Sequence, residues 1–156
     1  MVRFSIESRS ARETKSWGRR LASLLTGGEL LGLVGDLGAG KTCFVKGLAR
    51  GLSLDEKRIL SPTFTMIQEH RGRLALYHID LYRLEQAHLD DLGLREYLFS
   101  DGVAAVEWFE RLREAPTLDC LTIHIGYAGA NARRIEFAAE TDRYRELIER
   151  LRKRFG

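Results

Sequence analysis

Short strand-like runs and helix-spaced apolar residues alternate along this chain. Phe4 and Ile6 alternate with polar neighbours, the period of a half-buried strand. Ser10 and Glu13 stand at capping-box spacing ahead of Trp17, Leu21, Leu24 and Leu25, which share one helical face until Gly27-Gly28 stops the helix. Leu30 to Val34 is nearly all apolar, as a strand covered on both faces of a parallel sheet reads. A glycine-rich turn follows, and Phe44, Val45 and Leu48 then mark the buried side of a second helix closed by Gly51. Strand, loop and helix in this order begin an α/β fold.

The middle of the chain is richer in strands. Phe64 to Glu69 and Leu74 to Ile79 alternate around the turn Arg71-Gly72, which predicts an antiparallel hairpin. Glu85 to Phe99 reads as one helical stretch broken near Gly93, and Val103 to Val106 as a short apolar strand ending on Glu107. Leu121 to Ile125 and Arg134 to Phe137 alternate on either side of the loop Ala128-Gly129-Ala130-Asn131. Behind the cap residue Thr141, the residues Tyr144, Leu147, Ile148, Leu151 and Phe155 keep the spacing of an amphipathic helix over about 141–155. No internal repeat interrupts this order, and both prolines, Pro62 and Pro116, fall in connections.

Length and composition narrow the class. A chain of 156 residues with 44% hydrophobic and 30% charged residues can bury one core, so a single domain over residues 1–156 is expected. No apolar run approaches the ~18 residues of a membrane helix. The N-terminus carries Glu7 within an alternating pattern, unlike a signal or transit peptide, so a soluble cytoplasmic protein is expected. Cys43 and Cys120 are isolated, without CxxC or histidines at ligand spacing; a structural zinc site is not expected, and both read as small buried side chains of a reducing cytosol.

The glycine-rich turn carries the chemistry. Gly35-Asp36-Leu37-Gly38-Ala39-Gly40-Lys41-Thr42 fits G-x-x-x-x-G-K-[ST] between a buried strand and a helix, the context that a phosphate-binding P-loop needs. Glycines allow successive backbone N–H groups to turn inward as an anion cradle, and the helix opening at Lys41 directs its positive end at the same place. Lys41 can reach β and γ phosphates, and the Thr42 hydroxyl can bind the bridging Mg²⁺. Asn131, the only asparagine, is followed by Ala132 and Arg133, so the N-K-x-D guanine element is absent and ATP is favoured; an LSGGQ-like run is absent too.

Such a loop works with a carboxylate at a neighbouring strand end. Glu107 closes Val103-Ala104-Ala105-Val106 in the position of a Walker B-like acid, and Asp80 closes the strand of His78-Ile79-Asp80-Leu81-Tyr82-Arg83. Lys41, Asp80 and Glu107 are therefore the candidate catalytic groups. His78 reads as a packed or hydrogen-bonded histidine rather than a catalyst, and Trp108 as core or rim packing. Ser61-Pro62-Thr63-Phe64, a hydroxyl-bearing connection after the P-loop helix, reads equally as a nucleotide switch or a simple proline turn.

GDLGAGKT, SPTF, HIDLYRL and VEW, in this order and at these intervals, closely resemble the TsaE (YjeE) family over roughly Glu13 to Phe137. The family's members are small P-loop ATPases of bacterial tRNA threonylcarbamoyladenosine (t6A) biosynthesis. The resemblance implies a three-layer α/β/α sandwich, with a mostly parallel central sheet carrying antiparallel additions. It also implies an ATP hydrolase, weak alone, acting with the TsaD–TsaB complex that threonylcarbamoylates adenosine 37 of tRNAs reading ANN codons. On that basis Gly38 to Lys41 hold phosphates, Thr42 and Glu107 hold Mg²⁺, and Asp80 lies beside the γ-phosphate as a water- or metal-positioning acid. Thr14, Glu110 and Arg133 match positions near the nucleotide, and Trp108 matches the family tryptophan. Cys43 stands where a second Thr is usual, with its side chain expected to face away from phosphate, and Phe109 stands where Pro is common.

Two other classes stay open on the residues alone: a small-molecule P-loop kinase, for which Arg83 and Arg95 are too scattered to define a lid, and a non-catalytic nucleotide-gated interaction module. Charge does not decide between them. The net charge is +3, and residues 141–156 alone carry six basic against three acidic residues, which leaves the other 140 formally neutral. A basic end on one helix face reads first as a solvated surface, so tRNA is expected to be reached through TsaD and TsaB, with no membrane or DNA partner.

Overall fold

The structure, a computed structural model, describes residues 1–36, 38–60 and 66–156. Its centre is the strand that the sequence marks as apolar throughout. This strand, β2 (Leu30–Val34), is flanked on both sides by parallel neighbours, β5 (Val103–Glu107) and β6 (Leu121–Tyr127), and β4 (Ala75–Asp80) lies parallel beyond β5. Antiparallel strands complete each side: β7 (Arg133–Ala139) and β1 (Val2–Ser8) next to β6, and β3 (Ile67–Arg71) next to β4. The order is β1-β7-β6-β2-β5-β4-β3, and five of the seven strands point the same way. The expected α/β sandwich with a parallel centre and antiparallel additions is therefore present.

The two faces of the sheet are covered unequally. Helices α1 (Ala11–Ala22), α2 (Lys41–Gly51) and α4 (Asp142–Phe155) bury Trp17, Leu21, Phe44, Leu48, Tyr144 and Ile148 over one face. The other layer is thin. It consists of α3 (Leu94–Leu98) and the short 3₁₀ turns Phe109–Arg111 and Ala115–Thr117, packing Leu94, Leu98, Phe109 and Leu112 on Ile79, Ala104 and Val106.

Helix α1 starts as its capping residues predict. The Ser10 hydroxyl accepts the Glu13 N–H at 3.0 Å, and the Glu13 carboxylate accepts the N–H of Arg9 at 3.1 Å. It ends at Ala22, before Leu24 and Leu25, which are nevertheless buried. α1 and α2 touch through bare backbone, because a Cβ on Gly47 would stand 2.0 Å from the Lys15 carbonyl oxygen and one on Gly18 would stand 2.3 Å from that of Phe44.

Three expectations need correction. The stretch Glu85 to Phe99 is helical only over Leu94–Leu98. Leu92 and Gly93 take left-handed backbone angles, and Ala87 instead exchanges backbone hydrogen bonds with Arg111 and Arg113. Thr141 sits at the N-cap of α4, but its hydroxyl donates to Asp119 and accepts no N–H from the helix. Cys43 and Cys120 are half-buried free thiols, not fully buried ones.

α4 packs its apolar stripe as its spacing predicts, and the Leu30 N–H donates to the Tyr144 hydroxyl at 3.0 Å, joining the last helix to the central strand. Among the described residues no helix is long and apolar enough to cross a membrane. Because Gly47 meets backbone rather than a movable side chain, Gly47→Ala is expected to destabilise the fold by about 1–3 kcal/mol. At ~2–4 °C per kcal/mol for a chain of this size, thermal unfolding followed by circular dichroism reads this directly. An unchanged midpoint would mean that α1 and α2 do not approach this closely.

Candidate functional site

The parallel strands β2, β4 and β5 end on the same side of the sheet, where crevices of open α/β sheets bind ligands. The loop from Gly35 to Gly40 lies there between β2 and α2, with Leu37 outside the described residues. Gly40 is the N-cap of α2 at φ 114°, a conformation that suits glycine, so the helix begins directly at Lys41 and Thr42. The Ala39 N–H closes a turn onto the Asp36 carbonyl at 3.1 Å.

Lys41 is folded back. Its ammonium donates to the carbonyls of Gly35 and, at 3.0 Å, Asp36, and sits 4.0 Å from the centroid of the Trp108 ring. Burial pulls its pKa below the ordinary lysine value, against the attraction of Glu107, Glu110, Asp80 and Asp36. Trp108 is thus more than rim packing. Its ring carries Lys41 on one contact and the Arg111 guanidinium on another, at 4.6 Å, and Arg111 donates to the carbonyls of Tyr82 and Leu84.

Glu107 ends β5 directly beside Asp80 at the end of β4, the two being register partners. The Thr42 hydroxyl lies at 2.9 and 3.0 Å from the two Glu107 carboxylate oxygens, and the Nε2 of His78 contacts the same group. Alternation along β4 places His78 and Asp80 on one face, a signal in the sequence that could have linked the histidine to the acids. Asp80 is buried. Its Oδ1 accepts the Tyr82 N–H at 2.9 Å, while Oδ2 has no partner among the described residues. Burial, followed by the charge of Glu107, raises its pKa.

On the far side of the loop, a cavity of about 520 Å³ is lined by Arg9, Ser10, Thr14, Cys43, Asn131 and Arg133 together with Gly38, Ala39 and Gly40. The Thr14 hydroxyl bonds that of Ser8 at 2.7 Å, and Arg133 donates to the Ala39 carbonyl at 3.0 Å. A smaller cavity of about 180 Å³ lies over Lys41, Thr42, Glu107 and Trp108. A larger compartment thus lies beside a smaller one lined by Lys41 and Glu107.

Thr14 and Arg133 therefore meet the loop, whereas Glu110 lines a separate groove with Val34, Thr122 and His124. Burial raises the pKa of Glu110. Cys43 turns its Sγ to the Ala11 carbonyl at 3.2 Å and lines both cavities. Ser61, Pro62, Thr63 and Phe64 lie outside the described residues. Nothing in the spacing singles out Arg111, whose side-chain hydrogen bonds go to Tyr82 and Leu84 on another loop.

A family model described as threonylcarbamoyl adenosine biosynthesis protein TsaE matches residues 8–135. The chain is 45% identical, over 140 residues, to a tRNA threonylcarbamoyladenosine biosynthesis protein TsaE from Bacillus subtilis, with 89% of this chain and 87% of that one covered. It is 49% identical over 106 residues to the protein of the same name from Treponema pallidum, covering 67% and 78% of the two chains. The crystal structure of Bacillus subtilis YdiB matches with a TM-score of 0.81 at 37% identity, over 99% of this chain and 97% of that one.

Asp80 offers a test of the electrostatics. The folded chain raises this carboxyl above the ordinary value of ~4, so it retains a proton that the unfolded chain releases, and stability falls as pH rises through that window. Asp80→Asn keeps the acceptor for Tyr82 and removes the buried charge. It is expected to raise the melting temperature near neutral pH by ~2–4 °C for each kcal/mol recovered, with the gain shrinking toward pH ~4. Melting curves across pH check this, and a variant less stable than the parent at neutral pH would contradict it.

Proposed function

Since the chain belongs to the TsaE family, we propose that it is an ATP-binding, Mg²⁺-dependent ATP-hydrolysing subunit required for N6-threonylcarbamoylation of adenosine 37 in tRNAs reading ANN codons. It acts in the cytoplasm with the TsaD–TsaB complex, as one P-loop domain, and reaches tRNA through those partners. The observation that carries this reading is the Thr42 hydroxyl held on the Glu107 carboxylate beside Lys41, where the first turn of α2 meets the end of β5.

The residues present fit Mg²⁺. It is a hard cation that takes oxygen donors, and the site offers the Thr42 hydroxyl, the Glu107 carboxylate and the Oδ2 of Asp80, which has no partner among the described residues. Thr42 and Glu107 would hold it, and when bound it would neutralise charge on the β and γ phosphates. The loop glycines and the start of α2 supply the phosphate cradle. Lys41 leaves the Gly35 and Asp36 carbonyls and the Trp108 face to meet the phosphates. Asp80, at the neighbouring strand end, orients the attacking water or takes its proton. Thr14 and Arg133 line the nucleoside side. Glu110 acts on the site through its field at Lys41 and not as a wall of that cavity. The contacts that hold Lys41 have to be undone before phosphates bind, which supports slow turnover by the isolated chain.

Turnover of radiolabelled ATP is expected to be slow for the chain alone and to rise when TsaD and TsaB are both added. Lys41→Ala is expected to weaken ATP binding by roughly 10- to 100-fold, the loss of a charge-assisted bond of about 1.5–3 kcal/mol. Glu107→Gln is expected to lower hydrolysis far more than binding. Unchanged turnover on adding the partners would remove the partner-dependent ATPase, and full ATP affinity in Lys41→Ala would remove the P-loop reading.

A further inference from the structure

The buried end of the β4–β5 pair holds more donor groups than an ATP-bound Mg²⁺ uses. His78, Asp80 and Glu107 are 1%, 3% and 2% exposed, and one ligand atom from each lies within 4.8 Å of the others. Two adjacent parallel strands fix this grouping. His78 and Asp80 are alternate residues of β4, and Asp80 faces Glu107 in register. Two atoms of the group, His78 Nδ1 and Asp80 Oδ2, are buried with no hydrogen-bond partner among the described residues. A buried polar atom without a partner keeps its desolvation penalty unrelieved. The neighbouring cation does not relieve this, because the Lys41 ammonium is bonded to two loop carbonyls and lies over Trp108.

We propose that His78, Asp80 and Glu107 form a binding site for a borderline divalent cation (Mn²⁺, Co²⁺ or Zn²⁺) that fills without nucleotide, with His78 as its nitrogen ligand. Two carboxylates and an imidazole with no thiolate are the donor set of such ions, whereas Mg²⁺ takes oxygen and retains its waters. Metal–ligand bonds of ~2.0–2.2 Å bring donors to about 3 Å from one another, so a bound ion would replace the direct His78–Glu107 contact and draw together donors now within 4.8 Å. The Thr42 hydroxyl, already on both Glu107 oxygens, stands next to the site and ties its occupancy to the first turn of α2. The site does not depend on the ATPase reading and is tested without nucleotide.

The experiment titrates the nucleotide-free full chain with Co²⁺, read by visible absorption and calorimetry, with Mn²⁺, Zn²⁺ and Mg²⁺ as competitors. One equivalent of Co²⁺ is expected to bind, to be displaced by Zn²⁺ or Mn²⁺, and to resist an excess of Mg²⁺. His78→Gln and Asp80→Asn are each expected to weaken binding at least tenfold, the lower end of what lost support at a metal site removes. His70→Gln is expected to leave it unchanged. Circular dichroism verifies that each variant is folded. Should His78→Gln fail to fold, spin-echo modulation of Mn²⁺ bound to the unmodified chain reads an imidazole nitrogen directly, with Asp80→Asn locating it. Absence of saturable binding at millimolar metal, equal competition by Mg²⁺, or binding indifferent to Asp80→Asn would each overturn the proposal. None of these outcomes bears on ATP binding by the P-loop.

Discussion

A carboxylate with 2% of its surface exposed has to be answered by donors, and Glu107 organises its surroundings on that condition. Its donors come from two other elements, the Thr42 hydroxyl from the first turn of α2 and the His78 ring from β4. A single buried charge therefore ties the helix that opens the P-loop to two parallel strands. Truncating one partner would leave the remaining groups unsatisfied in a desolvated place, which is why such a site behaves as a unit. Asp80 is the member left over. Its neighbour already holds the local donors, so its second oxygen has no partner among the described residues and its proton is retained more firmly than in water.

The same end of the sheet shows why Trp108 follows the acid. The residue adopts φ 57°, unusual for a bulky side chain, and this turns the indole back over the loop instead of continuing the strand. Lys41 and Arg111 both contact the ring, and Arg111 also bonds the carbonyls of the turn after Asp80. The turns after β4 and β5 are thereby held to each other, and both acids keep their places at the ends of their strands. Phe109 is buried in the thin layer and anchors this turn.

Much of this was readable in the chain. The strands β2 and β5, the helices α2 and α4, and the pairing of a P-loop with Glu107 and Asp80 follow from local periodicity and motif spacing, because each is specified within a few consecutive residues. What escaped is tertiary. Residues 85–93 carry helix-like apolar spacing, yet Ala87 pairs with the backbone at 111–113, and Leu92-Gly93 reverse the chain; a partner more than twenty residues away decided the conformation. Thr141 has the chemistry of a cap but finds Asp119. Of the site residues, His78 was accessible through strand alternation, whereas the contact of Trp108 with Lys41 and those of Arg111 with Tyr82 and Leu84 exist only once separate loops meet.

The charge distribution closes the argument about partners. Part of the basic excess on α4 is occupied inside the molecule: Arg143 donates to the carbonyls of Gly27 and Gly28, and Arg152 to Glu149 and the Arg3 carbonyl. That helix is thus first a structural strap across the sheet, and an overall charge of +3 says little about nucleic acid. The informative imbalance lies at the opposite scale, around one lysine. Glu107, Glu110, Asp80 and Asp36 all act on Lys41, so a triphosphate entering this site adds negative charge where acids already outnumber the cation. In the proposed ATP complex a divalent cation then adds positive charge beside Lys41 where acids and phosphates meet.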